Sequence, residues 1–277
     1  MRKYENESFD EERAFYGCNG VSLSHCAIDG PADGESAFKE GGNIEVTDSL
    51  LNLRYPFWHN RGVRICGCDM TAGCRAALWY SADVTIERTN MHGIKALREC
   101  KRTDIRDCDI ISPEFGWFSV DVSVYGGRAE SEYFLLKARN VRLEEVEFSG
   151  KYSFQYVKEG YLYNCRLDTK DAFWHSRNVT VENCTVKGEY LGWYSQNLTF
   201  INCDISGTQP LCYCKGLRLI NCRMENTDLC FEKSEVNAQI TTPVASIKNA
   251  YAGRITAPAV GEIIKTDRRA KAEIITN

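Results

Sequence analysis

Apolar residues recur as pairs two positions apart, and the pairs recur roughly every nineteen residues: Val21/Leu23, Ile44/Val46, Val63/Ile65, Val84/Ile86, Val122/Val124, Val141/Leu143, Val179/Val181, Leu198/Phe200 and Leu217/Leu219. Alternation of this kind over a few residues predicts a short strand with one buried face. From residue 160 the frame sharpens. Cys165, Cys184, Cys203 and Cys222 stand nineteen apart, each after an asparagine and each followed two positions on by Leu167, Val186, Ile205 or Met224. A unit of about twenty residues that cannot bury its own apolar side is one coil of a solenoid, covered by the coils above and below. Coils start near residues 21, 44, 63, 84, 103, 122, 141, 160, 179, 198, 217 and 236. Gly116-Trp117-Phe118-Ser119 matches Gly192-Trp193-Tyr194-Ser195 and splits the stretch 103–140 into two coils, giving about a dozen.

Corners are written in turn chemistry. An Asn or Asp such as Asp83, Asn140, Asn178 or Asn197 precedes the first strand, and Gly150, Gly188 or Gly207 follows the second. Both residue types accept the left-handed backbone of a sharp bend. A third segment, such as Ala172–Ser176, completes the coil as a third short strand. Three short strands per coil, stacked about 4.8 Å apart, predict an all-β, single-stranded parallel β-helix. The leucine-rich repeat has a similar period but needs a regular leucine run, which is missing. Continuous periodicity predicts one domain: residues 1–20 as an N-terminal cap or first coil, 21–265 as the β-helix, and 266–277 as a polar C-terminal tail.

Composition narrows the setting. The chain has 277 residues, 43% hydrophobic and 26% charged, with a net charge of −4 and no basic run, which argues against nucleic acid. Neither a membrane span nor a secretory leader is written in it. The fourteen cysteines read as free, buried thiols, since sulfurs in one column of a parallel stack lie too far apart for disulfides. Reduced thiols and the absent leader place the chain in the cytoplasm. Cys66-Gly67-Cys68 and Cys212-Tyr213-Cys214 would put two thiols on one strand face, yet neither has a second pair at zinc-site spacing. His25, His59, His92 and His175 are expected in different columns. No metal or other cofactor is therefore expected.

Five segments in order carry a resemblance: Glu12-Arg13-Ala14-Phe15-Tyr16, Gly34-Glu35-Ser36-Ala37-Phe38-Lys39-Glu40, Tyr55-Pro56-Phe57-Trp58, Asp171-Ala172-Phe173-Trp174 and Gly188-Glu189-Tyr190-Leu191-Gly192-Trp193. Together they resemble an uncharacterised bacterial family known as a domain of unknown function, whose members resemble the pectin-lyase-like right-handed parallel β-helix superfamily. The likeness spans about residues 9 to 265. It implies a right-handed helix and brings no settled activity with it.

Function must then be sought on the outer surface. In the third segment Trp79, Trp117, Trp174 and Trp193 alternate with Phe118, Tyr156, His175, Tyr194 and Tyr213 along the chain. Small residues two after the tryptophans predict the tryptophan column inside and the second aromatic column outside. Tyr156, Tyr194, Tyr213 and, at the neighbouring corner, Tyr190 are the candidate saccharide-binding residues, since sugars pack on aromatic rings. At that corner Lys170, Asp171 and Glu189, with His175 nearby, form the candidate catalytic set, within two coils and beside Trp174 and Trp193. Uronate elimination needs a base beside a carboxylate-held cation, and no such cluster stands out. Glycoside hydrolysis needs two facing carboxyls; Glu144 and Glu182 share a column but sit two coils apart. The expected function is binding or processing of a saccharide along the outer flank. The alternative is a non-catalytic scaffold that docks a protein.

Overall fold

The computed structural model describes residues 1–30 and 35–276. Gly34 of the second related segment and Asn277 of the tail lie outside them. The chain divides into two compact units, residues 1–139 and 140–277. Both are built from right-handed parallel β-helix coils, about 14 turns in all, and the described residues form strands and turns with no helix.

Each coil opens with a six-residue strand, in the second unit Lys158–Tyr163, Arg177–Glu182 and Gln196–Ile201. Successive strands pair in parallel, with Val179 opposite Leu198 and Val181 opposite Phe200. These four side chains are fully buried while Thr180 and Thr199 between them face outward, as strand alternation requires. Each such burial contributes about 1.5–3 kcal/mol. A second, shorter strand follows the corner, as in Arg166–Lys170 and Thr185–Lys187.

The corner between these strands explains the cysteines. Asn164, Asn183, Asn202 and Asn221 all have φ between 51° and 53°, the left-handed region that Asn tolerates best after Gly. Their amides form a ladder: Asn202 Nδ2 donates to Asn183 Oδ1 at 3.1 Å, and Asn221 Nδ2 to Asn202 Oδ1 at 2.8 Å. The next residue turns inward, where its backbone N–H meets a small acceptor one coil on. Cys165 N–H donates to Cys184 Sγ at 3.2 Å, as Cys26 N–H does to Ser49 Oγ at 3.0 Å and Cys68 N–H to Thr89 Oγ1 at 3.2 Å. Cysteine, serine and threonine thus serve one role in this column. All fourteen thiols are free and thirteen are buried. Burial pushes Cys203 up to about 12 and Cys68 and Cys108 up to about 11, which keeps them protonated and unreactive.

The C-terminal end departs from expectation; the N-terminal end does not. Arg2–Glu5 pairs with Asn19–Ser24, so residues before 20 already form a ladder-bonded coil. After residue 266 the chain does not run out as a polar tail, because Glu273–Thr276 pairs with Ala252–Ala257. Asp267 holds the intervening turn, accepting from Tyr251 Oη at 2.8 Å and Arg269 Nη2 at 3.0 Å. The polar run 267–271 is a turn, and Ile274-Ile275 resumes the strand beyond it.

The third face differs most. In the first unit it holds two-residue strands, such as Phe57–Trp58 and Leu78–Trp79. In the second unit it is a chain of turns in which every other residue is left-handed: Asp171, Phe173 and His175 at φ 55°, 61° and 55°, and Tyr190, Gly192 and Tyr194 at 55°, 74° and 60°. Bulky residues rarely adopt this conformation. Cross-coil hydrogen bonds hold it, with Phe173 N–H donating to Ser153 O and His175 N–H to Trp193 O, both at 2.9 Å. Left-handed residues break strand parity, so Phe173 and Ser176 point inward while Trp174 and His175, though adjacent, both lie on the flank.

This corrects the expected tryptophan core. Phenylalanine fills the inside: Phe15, Phe38 and Phe57 stack in the first unit at 5.2 and 5.0 Å, and Phe154 and Phe173 stack in the second at 5.0 Å. All five tryptophans are half-buried and pin the next coil's corner. Each indole N–H donates to a backbone carbonyl: Trp58 to Ala76, Trp79 to Lys95, Trp117 to Tyr133, Trp174 to Tyr190 and Trp193 to Gln209, at 2.6 to 2.8 Å.

Candidate functional site

The third face of the second unit carries the outward aromatic row that the sequence anticipates. Tyr156, His175, Tyr194 and Tyr213 stack with centroids 4.8, 5.0 and 4.8 Å apart and planes within 12°. Lys233 closes one end, its ammonium 5.8 Å from the Tyr213 centroid. Tyr156 and Tyr194 remain 42% and 44% exposed, so the row is open to solvent. Its chemistry differs from the one expected. Rings stacked face on face cover each other's π surfaces, leaving their edges and hydroxyls for a ligand, and those edges are electropositive.

A cleft of about 250 Å³ runs beside the ladder, lined by Tyr156, Lys158, His175, Arg177, Tyr194 and Gln196. Lys158 lies opposite Arg177, Arg177 opposite Gln196, and Gln196 is bridged to Lys215. A row of cations interrupted by one amide therefore follows the ladder coil by coil. Among the described residues, none of these three cations has a carboxylate within 4.0 Å. Several other cations of this unit pair across coils: Lys170 with Glu189 and Lys187 with Asp168 at 2.9 Å, Arg223 with Asp204 at 3.1 Å, and Lys248 with Glu232 at 3.3 Å.

Burial and, secondarily, Arg177 hold His175 below the ordinary 6.5 of histidine. Between its lowered folded value and 6.5 the unfolded chain binds more protons, so stability is lost as pH falls through that window. In an NMR titration, His175 is expected to titrate below 6.5, and Arg177→Gln is expected to raise its midpoint. An unmoved midpoint would mean that the guanidinium does not face the ring.

The expected catalytic set is divided. Lys170 Nζ and Glu189 Oε2 form an exposed ion pair at 2.9 Å, which raises the lysine. Asp171 is buried beneath them, its carboxyl raised by that burial. Tyr190 belongs to this corner, with its ring edge-on to Trp193 at 5.3 Å and the Lys170 ammonium 5.5 Å from its centroid. His175 lies with the ladder, and Trp193 touches Tyr190 on one side and Tyr194 and Tyr213 on the other. Among the described residues, no side-chain hydrogen bond or ion pair joins His175 to Asp171 or Glu189. Glu144 and Glu182 are each engaged, by Arg142 and by the Tyr161 hydroxyl.

The histidine and thiol expectations also change. His59 and His175 take equivalent positions, each directly after a tryptophan, and His59 stacks on Tyr80 at 4.8 Å. Cys66 and Cys68 do not share a face. Left-handed Gly67 turns the corner between them, leaving Cys66 to accept from Arg88 Nη2 at 2.9 Å while Cys68 points into the core. Among the described residues, no three His, Cys, Asp or Glu side chains gather as metal ligands, and no helix is long and apolar enough to cross a membrane. A second cleft, about 230 Å³ around Arg223, has its cation already held by Asp204 and Glu225. The row Lys158, Arg177, Gln196, Lys215 also repeats every nineteen residues, the signal by which the sequence could have shown it.

Coils and flank together define a protein of the parallel β-helix class. Over residues 2–276 the chain matches the model of the family described as "Protein of unknown function (DUF3737)", and it belongs to that family. Among solved structures it is similar to the A-module of mannuronan C-5 epimerase AlgE4 from Azotobacter vinelandii, at 11% identity over 99% of this chain and 89% of that one, with a TM-score of 0.30. It is also similar to a double mutant of the periplasmic alginate epimerase AlgG, at 10% identity over 94% and 78%, TM-score 0.29. A third is QnrB1, a plasmid-mediated fluoroquinolone resistance protein, at 12% identity over 81% and 89%, TM-score 0.19. Two are epimerases and one a resistance protein, and at these TM-scores none lends its activity to this chain. The comparison with curated proteins gives no match.

Proposed function

We propose that the third face of residues 140–277 binds a saccharide, held along the stack of coils without being cleaved. The observation that carries this reading is the open cleft beside the Tyr156–His175–Tyr194–Tyr213 ladder, with ring edges, phenol hydroxyls, an amide and cations at one-coil intervals. A sugar chain offers hydroxyls at a comparable repeat, and a few placed polar groups beside apolar ring surface suit it. Binding is favoured over processing because Asp171 and Glu189 lie on the far side of Trp193, buried or paired, and Glu232, which accepts from Tyr213 Oη at 3.5 Å at the end of the ladder, is held by Lys248. A protein-docking scaffold would need an apolar patch of several hundred Å². The large apolar side chains exposed among the described residues of this unit are Tyr156, Tyr194 and Ile263, too few for such a patch.

Calorimetric titration with a panel of oligosaccharides tests the reading. Tyr194→Ala is expected to weaken the best ligand at least tenfold, about 1.4 kcal/mol, while Glu189→Ala leaves it unchanged. Silence across the panel, or binding indifferent to Tyr194→Ala, overturns it.

A further inference from the structure

Like charges on adjacent parallel strands repel unless something lies between them. Lys158 and Arg177 are direct cross-strand neighbours, and Lys215 follows Gln196 two coils beyond Arg177. Both lysines and the arginine are exposed and, among the described residues, none has an ion-pair partner. The surrounding surface shows that pairing was within reach, since Lys170, Lys187 and Arg223 of the same unit each hold a carboxylate one coil away. Beside this row the ladder turns outward the electropositive edges of its rings. Every group lining the cleft is therefore a donor, a positive edge or a cation, apart from the amide and phenol oxygens and whichever nitrogen of neutral His175 lacks the proton; the carboxylate of Glu232 meets the ladder at its Tyr213 end, where Lys248 holds it.

From this we infer that the ligand is an acidic saccharide, bearing carboxylate or sulfate groups, that lies along the coil-to-coil direction with its charges against Lys158, Arg177 and Lys215. The inference rests on the saccharide reading above and names its chemical class. Neutral hydroxyls would leave the repulsion between the cations in place, whereas an anion relieves it. Gln196 is the uncharged step in the row, so the row is one substitution short of continuous charge.

The test uses the intact protein and four probes of matched length: a hexauronate, its carboxyl-reduced neutral counterpart, a sulfated analogue of that counterpart, and hexaglutamate. The expected result is at least tenfold preference for the uronate or the sulfated chain over the neutral one, declining as added salt screens the exposed charges. Arg177→Gln is expected to remove most of that preference, weakening the acidic chains far more than the neutral one, and Gln196→Lys to tighten the acidic chain several-fold. The gain in the second variant cannot come from misfolding. Carboxylate against sulfate is decided by which acidic arm binds more tightly. If the neutral chain binds equally well and neither variant matters, the inference falls while the saccharide reading stands. If no sugar binds, both fall. Hexaglutamate bound as tightly as the uronate overturns the inference in favour of an acidic protein partner.

Discussion

Gly188→Ala is expected to lower the unfolding free energy by about 4 kcal/mol, at the upper end of what single substitutions do. A Cβ built at this corner would stand 1.4 Å from the carbonyl oxygen of Thr169 and 2.5 Å from its carbon. Both are backbone atoms of the preceding coil, so no side chain can swing aside. Coil spacing cannot yield either, because Gly188 N–H is bonded to Ser206 O at 2.9 Å on the other side. Gly207 repeats the arrangement one coil on, its added Cβ 2.0 Å from Gly188 O. Gly17 provides the comparison: it has a left-handed φ of 63°, where Gly188 has 156°, and nothing lies within 4 Å of an added Cβ. Gly17→Ala should therefore show only the conformational cost, about 1–2 kcal/mol. Urea denaturation followed by circular dichroism compares the two. Equal losses would mean that the Thr169 carbonyl does not press on the glycine, and that the second corner of the coil is looser than described.

Corners of this kind were legible in the sequence because they use residues whose chemistry announces the bend. Asn before the inward cysteine and Gly after the second strand both mark left-handed or crowded backbone, and the nineteen-residue spacing stacks them into columns. The third face used the same backbone conformation at Phe173, His175, Tyr190 and Tyr194, where side-chain type gives no warning. Period-two alternation therefore assigned the wrong parity. It sent the tryptophans inward, whereas they lie half-buried on the flank. Only coil-to-coil hydrogen bonding shows that residues 173 and 176, three apart, share the interior. The outward aromatic row survived this error because Tyr156, His175, Tyr194 and Tyr213 hold the same position in successive coils. Their shared register does not depend on the conformation of any one coil. What could not be read was ring orientation, which makes the row a ladder of edges.

That orientation separates two roles by experiment. Phe173→Ala is expected to cost about 3–5 kcal/mol, the range for truncating a buried phenylalanine. Phe173 is fully buried, stacks on Phe154 at 5.0 Å and meets Phe200 edge-on at 6.3 Å. Removing it leaves a cavity whose walls are held apart by the coil hydrogen bonds, so collapse recovers little. Tyr194→Ala removes a ring with closer stacking partners, His175 at 5.0 Å and Tyr213 at 4.8 Å. Yet nearly half of Tyr194 already faces water, and water refills the space it leaves. Its expected cost is about 1 kcal/mol, the scale of an aromatic pair contact. The two variants, unfolded side by side in urea, should differ by at least about 2 kcal/mol. A large gap means the exposed ladder contributes little to holding the coils together, which leaves recognition as the use of four stacked rings on an open flank. Comparable losses would make the ladder a structural seam like the phenylalanine column inside, and the proposed saccharide face would lose its physical basis.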